Sequence, residues 1–248
     1  MLAALCGGLL FFCFTFPPDH FTVFMAGDST MSVKQVKAYP ETGWGMPFAN
    51  YFDSSVTIDN RARNGRSTKT FISDGLWDSI IKDLKANDYV FIEFGHNDEV
   101  NTKASYTKEG EYRANLVRFV TDVKNKQAIP ILLTPVTRRN FDSTGHIKET
   151  HLAYSKIVRE VAAEQKVILI DLDELTRSFF DKYGPDRSIL FFNNLEPGEN
   201  PNYPEGRKDN THYNELGARK VAEIVLQAIK DLKLPLADHI VKPPKNPK

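Results

Sequence analysis

The chain has 248 residues, and its 41% hydrophobic and 26% charged residues are ordinary usage for a globular protein. This composition argues against a disordered, collagen-like or coiled-coil chain, and the length is sufficient for a substantial core. The 32 basic and 32 acidic residues cancel. No overall field therefore gathers phosphate backbones, and the composition predicts no nucleic-acid partner.

The N-terminus is an apolar run, because the first sixteen residues carry no charged side chain. Such a run is typical of a secretory signal and is short for a membrane-spanning helix, although no basic residues precede it. We therefore expect residues 1–18 to be a signal segment and the protein to be secreted or periplasmic. Both cysteines, Cys6 and Cys13, lie in this segment. Its removal would leave no disulfide, no thiolate nucleophile and no cysteine-ligated zinc.

Short apolar runs alternate with amphipathic stretches along the rest of the chain. Five runs are rich in β-branched and aromatic residues, as is typical of strands covered on both faces, and they lie at 21–26, 56–58, 89–94, 129–133 and 167–170. Helical spacing of apolar residues predicts helices within 108–126, 149–165 and 214–231. The alternation predicts an α/β fold in which helices cover both faces of a parallel sheet.

The C-terminal stretch differs in composition from the rest of the chain. Four prolines and three lysines fall among its last fourteen residues. This composition is typical of a flexible tail. We therefore expect one folded domain over residues 19–234 and a tail over residues 235–248.

Polar clusters follow the first three predicted strands. They lie at 27–30 after the first strand, at 64–67 shortly after the second and at 95–98 after the third. Ligands of open α/β sheets bind beyond the carboxyl ends of the strands. The three clusters are therefore expected on one rim of the sheet, where they would form a single site.

Ser29 is the candidate nucleophile in this rim. A serine hydroxyl is a weak nucleophile unless a base accepts its proton. His212 lies just before the last predicted helix, and Asp209 precedes it by three residues. Asp209 is close enough to accept the Nδ1 proton of His212, which leaves Nε2 free to act as the base for Ser29. We predict a Ser29–His212–Asp209 triad.

An acyl-transfer site also needs hydrogen-bond donors for the oxyanion of its tetrahedral intermediate. Three candidates are present: the backbone N–H of Ser29, the backbone N–H of Gly65 and the side-chain amide of Asn97. Gly65 allows a close approach of the backbone to a ligand, and Asn97 donates without carrying a charge.

These blocks, in this order, resemble those of the SGNH (GDSL-like) hydrolases. The blocks are Gly27-Asp28-Ser29 after the first strand, Gly65 after the second, Gly95-His96-Asn97-Asp98 after the third, and Asp209-Asn210-Thr211-His212 near the C-terminus. The resemblance implies a flavodoxin-like three-layer α/β/α sandwich with a five-stranded parallel sheet. It implies the same roles for Ser29, Gly65, Asn97, Asp209 and His212, and it implies no cofactor and no metal.

A narrower resemblance is to the rhamnogalacturonan acetylesterases. It is carried by Gly27-Asp28-Ser29-Thr30-Met31, Gly43-Trp44-Gly45, Asn64-Gly65-Arg66-Ser67 and the proline-rich stretch from Pro197 to Pro204. This resemblance implies removal of acetyl groups from a pectic polysaccharide or oligosaccharide, with no stable protein partner. Trp44 and Tyr203 are expected to be substrate-binding residues that stack against sugar rings.

Three alternatives stay open from the sequence. A lipase or thioesterase of the same family would need a long apolar acyl pocket, whereas the loop over residues 193–209 is dominated by polar residues, glycine and proline. A non-catalytic glycan-binding module is disfavoured by the intact set of site residues. A two-metal phosphoesterase needs more histidine and carboxylate ligands than the pattern supplies.

Overall fold

The computed structural model describes residues 20–242 and contains one five-stranded sheet. All its strand pairs are parallel, and the strand order is β2-β1-β3-β4-β5. The strands are β1 (Phe21–Gly27), β2 (Val56–Asn60), β3 (Tyr89–Glu93), β4 (Ile129–Leu133) and β5 (Ile168–Ile170). Each coincides with a predicted apolar run to within one or two residues, and the predicted fold class is confirmed.

Helices cover both faces of the sheet, as the alternating sequence pattern predicts. They are α1 (Gly45–Phe48), α2 (Thr68–Ser73), α3 (Leu76–Asp83), α4 (Glu109–Asn125), α5 (Leu152–Gln165), α6 (Leu172–Asp181), α7 (Gly184–Arg187) and α8 (Glu215–Asp231). α1, α6 and α8 contribute buried residues to the core on one face, and α2, α3, α4 and α5 contribute to the core on the other. Among these described helices, none is both long and apolar enough to cross a membrane.

Successive residues of the central strands point into opposite cores. In β1, Val23 and Met25 belong to the core under α8, whereas Phe24 and Ala26 belong to the core under α4. The period of two is inherent in strand geometry. Because both faces are covered, both sets of side chains are apolar, which explains the continuous hydrophobic runs of the sequence.

The predicted tail boundary at residue 235 is wrong. Pro235–His239 form a 3₁₀ helix, and the side chain of Leu236 is fully buried in the core. Ile240 is also buried, and the N–H of Val241 donates to the carbonyl of Tyr51 at 2.8 Å. The apolar side chains of Leu236 and Ile240 pack the segment against the core. The proline and lysine content of the stretch does not reveal such contacts. Residues 243–248, like the predicted signal segment at 1–18, lie outside the described residues, so both of those expectations stay predictions.

Candidate active site

Ser29 lies in a tight turn at the carboxyl end of β1. A Cβ on Gly27 would lie 2.9 Å from the carbonyl oxygen of Glu93 and 2.8 Å from the sulfur of Met31, so only glycine fits there. Asp28 is fully buried, and its Oδ1 accepts hydrogen bonds from the N–H and the hydroxyl of Thr30, both at 2.9 Å. The close strand contact and the buried Asp28 together hold the turn that presents Ser29.

The structure brings Ser29, His212 and Asp209 into one hydrogen-bonded chain. Ser29 Oγ lies 2.8 Å from His212 Nε2, across 183 residues of sequence. His212 Nδ1 lies 2.8 Å from Asp209 Oδ2. This is the order of groups in which Nδ1–H donates to the carboxylate and Nε2 is free to accept the serine proton.

Asp209 is held as a carboxylate by four donors. Its Oδ1 accepts from the backbone N–H groups of Thr211 and His212, both at 2.9 Å. Its Oδ2 accepts from the His212 ring and from the Arg207 guanidinium, which lies at 2.9 Å. Burial alone would raise the pKa of Asp209, but the hydrogen bonds from His212 and Arg207 outweigh it and hold that pKa below its usual range. Asp209 is therefore ionised at neutral pH.

The third oxyanion candidate, Asn97, is hydrogen-bonded to the residue next to the second candidate, Gly65. Gly65 has a φ of +74°, and a Cβ added there would meet nothing within 4 Å, so the left-handed backbone is the reason for glycine at this position. The Asn97 amide nitrogen lies 3.2 Å from the carbonyl of Arg66, the residue that follows Gly65. Asn97 also lines the cavity that Ser29 opens into. The Gly65 turn and the Asn97 amide are thus held together beside the nucleophile.

Asp98 explains how the Gly65 turn is anchored, a role that sequence reasoning missed. It is fully buried, and its Oδ1 accepts from the N–H of Thr68 at 2.9 Å and from the Thr68 hydroxyl at 2.6 Å. Thr68 is the first residue of α2, directly after the Gly65 turn. Burial raises the pKa of Asp98 to about 7. The block that carries Asn97 therefore also holds the start of the helix behind Gly65.

A cavity of about 660 Å³ lies in front of Ser29. Twelve residues line it, and most of them are polar or charged: Ser29, His96, Asn97, Glu99, Val100, Lys103, Arg138, Lys208, Asp209, Asn210, Thr211 and His212. Sequence reasoning missed Arg138, Lys103 and Lys208. They come from three separate loops, and no short motif connects them with the serine.

Arg138 joins two of the loops that form the cavity. Its guanidinium donates to the Thr211 hydroxyl at 2.8 Å, to Glu99 Oε1 at 3.0 Å and to the carbonyl of His96 at 3.3 Å. Glu99 also lies 2.8 Å from Nδ1 of His151, whose ring packs against His96. Burial, together with the nearby His151 and Arg138, keeps the pKa of His96 well below its ordinary value. The His96 ring is therefore uncharged and lines one side of the cavity.

The prediction that Trp44 stacks against a sugar does not fit the structure. Trp44 is fully buried, its indole N–H donates to Glu93 Oε2 at 2.7 Å, and its backbone N–H donates to the carbonyl of Thr30. No face of the ring is open to a ligand, so Trp44 supports the nucleophile turn from behind. The sequence shows only a large aromatic residue in a loop motif, and this context does not indicate that the side chain is buried.

Tyr203 is half-buried and is not among the residues that line the cavity. Its hydroxyl donates to the carbonyl of Ala38 at 2.9 Å, and the guanidinium of Arg207 lies over its ring. Its role as a sugar platform stays a prediction, and one face of the ring is already occupied by Arg207.

Two buried carboxyl groups, Asp28 and Glu93, share one hydroxyl behind the nucleophile. Thr30 Oγ1 lies 2.9 Å from Asp28 Oδ1 and 3.2 Å from Glu93 Oε1. Burial, reinforced by the negative charge of Asp28, raises the pKa of Glu93 to about 8. Glu93 therefore holds a proton at neutral pH. The single proton of the Thr30 hydroxyl is then needed only by the Asp28 carboxylate.

We expect the free energy of unfolding to fall as the pH rises from about 6.5 to about 8. In this range Glu93 keeps its proton in the folded chain and loses it on unfolding, which costs up to about 1.4 kcal/mol per pH unit. Asp98, with its pKa raised to about 7, acts in the same direction over the lower half of the range. His96, whose pKa is lowered in the folded chain, opposes the trend at the lower end of the range, because its ring is still partly protonated in the unfolded chain near pH 6.5; this opposition fades by about pH 7.5.

Urea denaturation across this pH range measures the effect, with Glu93→Gln as the matched variant. The variant keeps the size of the side chain and lacks the titration, so its stability should depend less on pH. A variant with the same slope as the parent chain would show that Glu93 is not the titrating group.

The fold and the site together place a hydrogen-bonded Ser-His-Asp arrangement at the rim of a parallel sheet that is covered on both faces. A family model described as the GDSL-like Lipase/Acylhydrolase family matches residues 25–220. The chain belongs to this family, and the resemblance inferred from the sequence blocks is confirmed. Family membership also removes the two-metal phosphoesterase from the alternatives.

Individual proteins that are similar to this chain indicate the class of reaction. A rhamnogalacturonan acetylesterase of Bacillus subtilis is 39% identical over 220 residues, which is 88% of this chain and 94% of that protein. A probable rhamnogalacturonan acetylesterase of the same organism is 32% identical over 89% of this chain and 97% of its own length. The chain is thus similar to enzymes that hydrolyse carboxylic esters, and it is an ester hydrolase.

Solved structures agree with the fold. The crystal structure of the protein YxiM from B. subtilis superposes with a TM-score of 0.76 at 28% identity, covering 87% of this chain and 58% of that one. This chain therefore spans less than two thirds of that protein. A mutant of an acetyl-xylooligosaccharide esterase from Geobacillus superposes with a TM-score of 0.62 at 18% identity, covering 86% of this chain and 95% of that one. The second likeness concerns the fold alone.

Proposed function

We propose that this chain is a carbohydrate acetylesterase that uses Ser29, His212 and Asp209 as a catalytic triad and acts on acetylated rhamnogalacturonan. The observation that carries the catalytic part is the hydrogen-bonded chain from Ser29 Oγ to Asp209 Oδ2 at the mouth of a polar cavity. The similarity to rhamnogalacturonan acetylesterases supports the choice of substrate.

The reaction begins when Ser29 Oγ attacks the acetyl carbonyl carbon while His212 Nε2 takes the serine proton. The oxyanion that forms faces the N–H groups of Ser29 and Gly65 and the amide of Asn97. The intermediate collapses when the bond to the sugar oxygen breaks and His212 returns its proton to that oxygen. Water then attacks the acetyl-enzyme with the same base, releases acetate and restores Ser29. Asp209 stabilises the imidazolium in both halves of the reaction.

The lining of the cavity favours a short acyl group on a polar alcohol. Val100 is the only one of the twelve lining residues with an aliphatic side chain. A long acyl chain would have to leave water for a surface of charged and amide groups, which gives little hydrophobic gain. Sugar hydroxyls, by contrast, pair with such groups. The lipase and thioesterase alternatives are therefore disfavoured.

Two lysines favour an acidic glycan over a neutral one. Lys103 and Lys208 line the cavity, and within residues 20–242 neither ammonium group has a carboxylate within 4.0 Å. The acidic groups of the lining are already engaged, because Glu99 pairs with Arg138 and Asp209 pairs with Arg207. Two unpaired positive charges beside the nucleophile suit the carboxylates of galacturonate residues.

The test compares Lys103→Gln, Lys208→Gln and their combination on acetylated rhamnogalacturonan, acetylated xylan and p-nitrophenyl acetate. For the double variant we expect kcat/KM on rhamnogalacturonan to fall roughly 5- to 30-fold, with a smaller loss at high salt, because exposed ion pairs contribute up to about 1 kcal/mol each. Activity on the two uncharged substrates should change little. Lys230→Gln, on the exposed side of α8, is the matched control.

Equal losses on rhamnogalacturonan and xylan would contradict the acidic-substrate assignment and would leave the acetylesterase intact. A parent enzyme that prefers long-chain esters to acetates would contradict the acetylesterase itself.

A further inference from the structure

A buried lysine lies behind the nucleophile turn. The side chain of Lys34 is 2% exposed, and its ammonium group contacts three acceptors: the Ser29 carbonyl oxygen at 2.5 Å, Asn64 Oδ1 at 2.8 Å and Glu41 Oε1 at 2.8 Å. Burial lowers the pKa of Lys34, and the neighbouring Glu41 opposes that shift. A buried ammonium group is costly unless all its protons are bonded, and here three protons have three partners.

Two of these acceptors belong to the two turns that supply backbone oxyanion donors. The carbonyl of Ser29 is part of the nucleophile turn, and Asn64 directly precedes Gly65. Asn64 Oδ1 also accepts from the Ser32 hydroxyl at 2.5 Å, which adds a second link between the same two turns. The ammonium group of Lys34 therefore joins the two turns just beyond the backbone hydrogen bond in which the N–H of Arg63 donates to the carbonyl of Gly27 at 2.9 Å.

The third acceptor lies beside the base. Ligand atoms of Glu41, Asp209 and His212 all fall within 4.8 Å of one another. An unpaired carboxylate at this place would repel the charge of Asp209 and would compete with it for His212. The ion pair of Glu41 with Lys34 balances that charge, so the lysine contacts both turns directly and reaches the surroundings of His212 through Glu41.

We propose that Lys34 is a positioning residue of the esterase reaction: it fixes the Ser29 turn and the Gly65 turn relative to each other, so that both backbone N–H groups face the same oxyanion. This inference rests on the proposed roles of Ser29 and Gly65. Misplacing such donors weakens binding of the transition state more than binding of the substrate.

The test measures kcat and KM for p-nitrophenyl acetate, a substrate with no sugar. In Lys34→Met the stem of the side chain is kept and the ammonium group is lost, and we expect kcat to fall on the order of 10- to 100-fold with little change in KM. Because this variant leaves Glu41 unpaired, Lys34→Met/Glu41→Gln is made as well, and it should keep the low kcat although no charge is left unbalanced. Thermal unfolding of each variant checks that the fold persists.

Asn64→Ala and Lys34→Met/Asn64→Ala complete a double-mutant cycle. If Lys34 acts partly through Asn64, the combined loss in kcat is smaller than the product of the single losses. Lys69→Met is the matched control, because Lys69 also donates to a backbone carbonyl, that of Tyr106 at 2.8 Å, but within residues 20–242 makes no hydrogen bond to the Ser29 turn or to Asn64.

The outcomes separate this inference from the proposed function. A parent enzyme no faster than Ser29→Ala would overturn the proposed function. A parent enzyme that works normally, with Lys34→Met/Glu41→Gln at the same kcat, would overturn only the role of Lys34. A loss confined to KM, a loss equal to that of Lys69→Met, or fully multiplicative losses with Asn64→Ala would also overturn it.

Discussion

Ser29→Ala is expected to reduce acetate release on the order of 10⁴- to 10⁶-fold, because the members of a triad act as a unit and only the oxyanion donors and binding remain. In the proposed mechanism the serine oxygen forms the bond to the acetyl carbon, and the alanine side chain offers no atom to replace it. Its hydrogen bond to His212 lies at the partly exposed wall of the cavity. The substitution should therefore leave stability close to that of the parent chain.

The measurement is acetate release from acetylated rhamnogalacturonan, with urea denaturation to compare stability. Ser73→Ala removes an exposed hydroxyl from α2 and serves as the control, with activity like that of the parent enzyme. Retained turnover in Ser29→Ala would remove Ser29 from the mechanism and with it the assignment of the triad.

Asp209→Asn is expected to lower kcat on the order of 10⁴-fold, because an amide at this position holds the wrong tautomer of the histidine. The orientation of the new amide is dictated by the backbone. The N–H groups of Thr211 and His212 both point at Oδ1 and require an acceptor there. The amide nitrogen must then face His212 Nδ1, which becomes an acceptor, so Nε2 carries the proton and no longer receives one from Ser29.

The effect is measured as kcat for p-nitrophenyl acetate, and circular dichroism checks the fold. Asp142→Asn, in an exposed turn away from the cavity, is a suitable control. A loss of less than about tenfold in Asp209→Asn would indicate that another group, such as Glu41, orients His212 in its place.

The fold was accessible from the sequence because strands buried on both faces must be apolar at nearly every position. The run that forms β3 has no charged residue before Glu93, and all five of its residues are buried. The flavodoxin-like sheet was implied only by the family resemblance, whereas the expectation that Ser29, Gly65 and Asn97 lie on one rim follows from the general geometry of parallel sheets. The Asp209–His212 spacing was informative because a carboxylate and an imidazole three residues apart meet within one turn of chain.

The contacts between loops could not be predicted from the sequence. Lys34, Arg138 and Asp98 each hold parts of the site together through partners 30 or more residues away. Nothing in their local sequence distinguishes them from surface or capping residues. Trp44 is the opposite case, a residue to which the sequence assigned a role in binding that the structure does not support. From sequence alone, an aromatic residue in a glycine-rich loop is equally consistent with a surface that stacks against sugars and with a buried supporting side chain.

The bond between Ser29 and His212 joins the first strand of the chain to the loop before its last long helix. During synthesis, a chain that has reached residue 200 already contains the proposed nucleophile and oxyanion donors but lacks His212, the proposed base. The sheet is complete at Ile170, so a folded sheet and a working enzyme are separate events in time. If His212 is the base, ester hydrolysis begins only once the loop before α8 has docked beside Ser29, and a chain cut before that loop would be inert even if its sheet had formed.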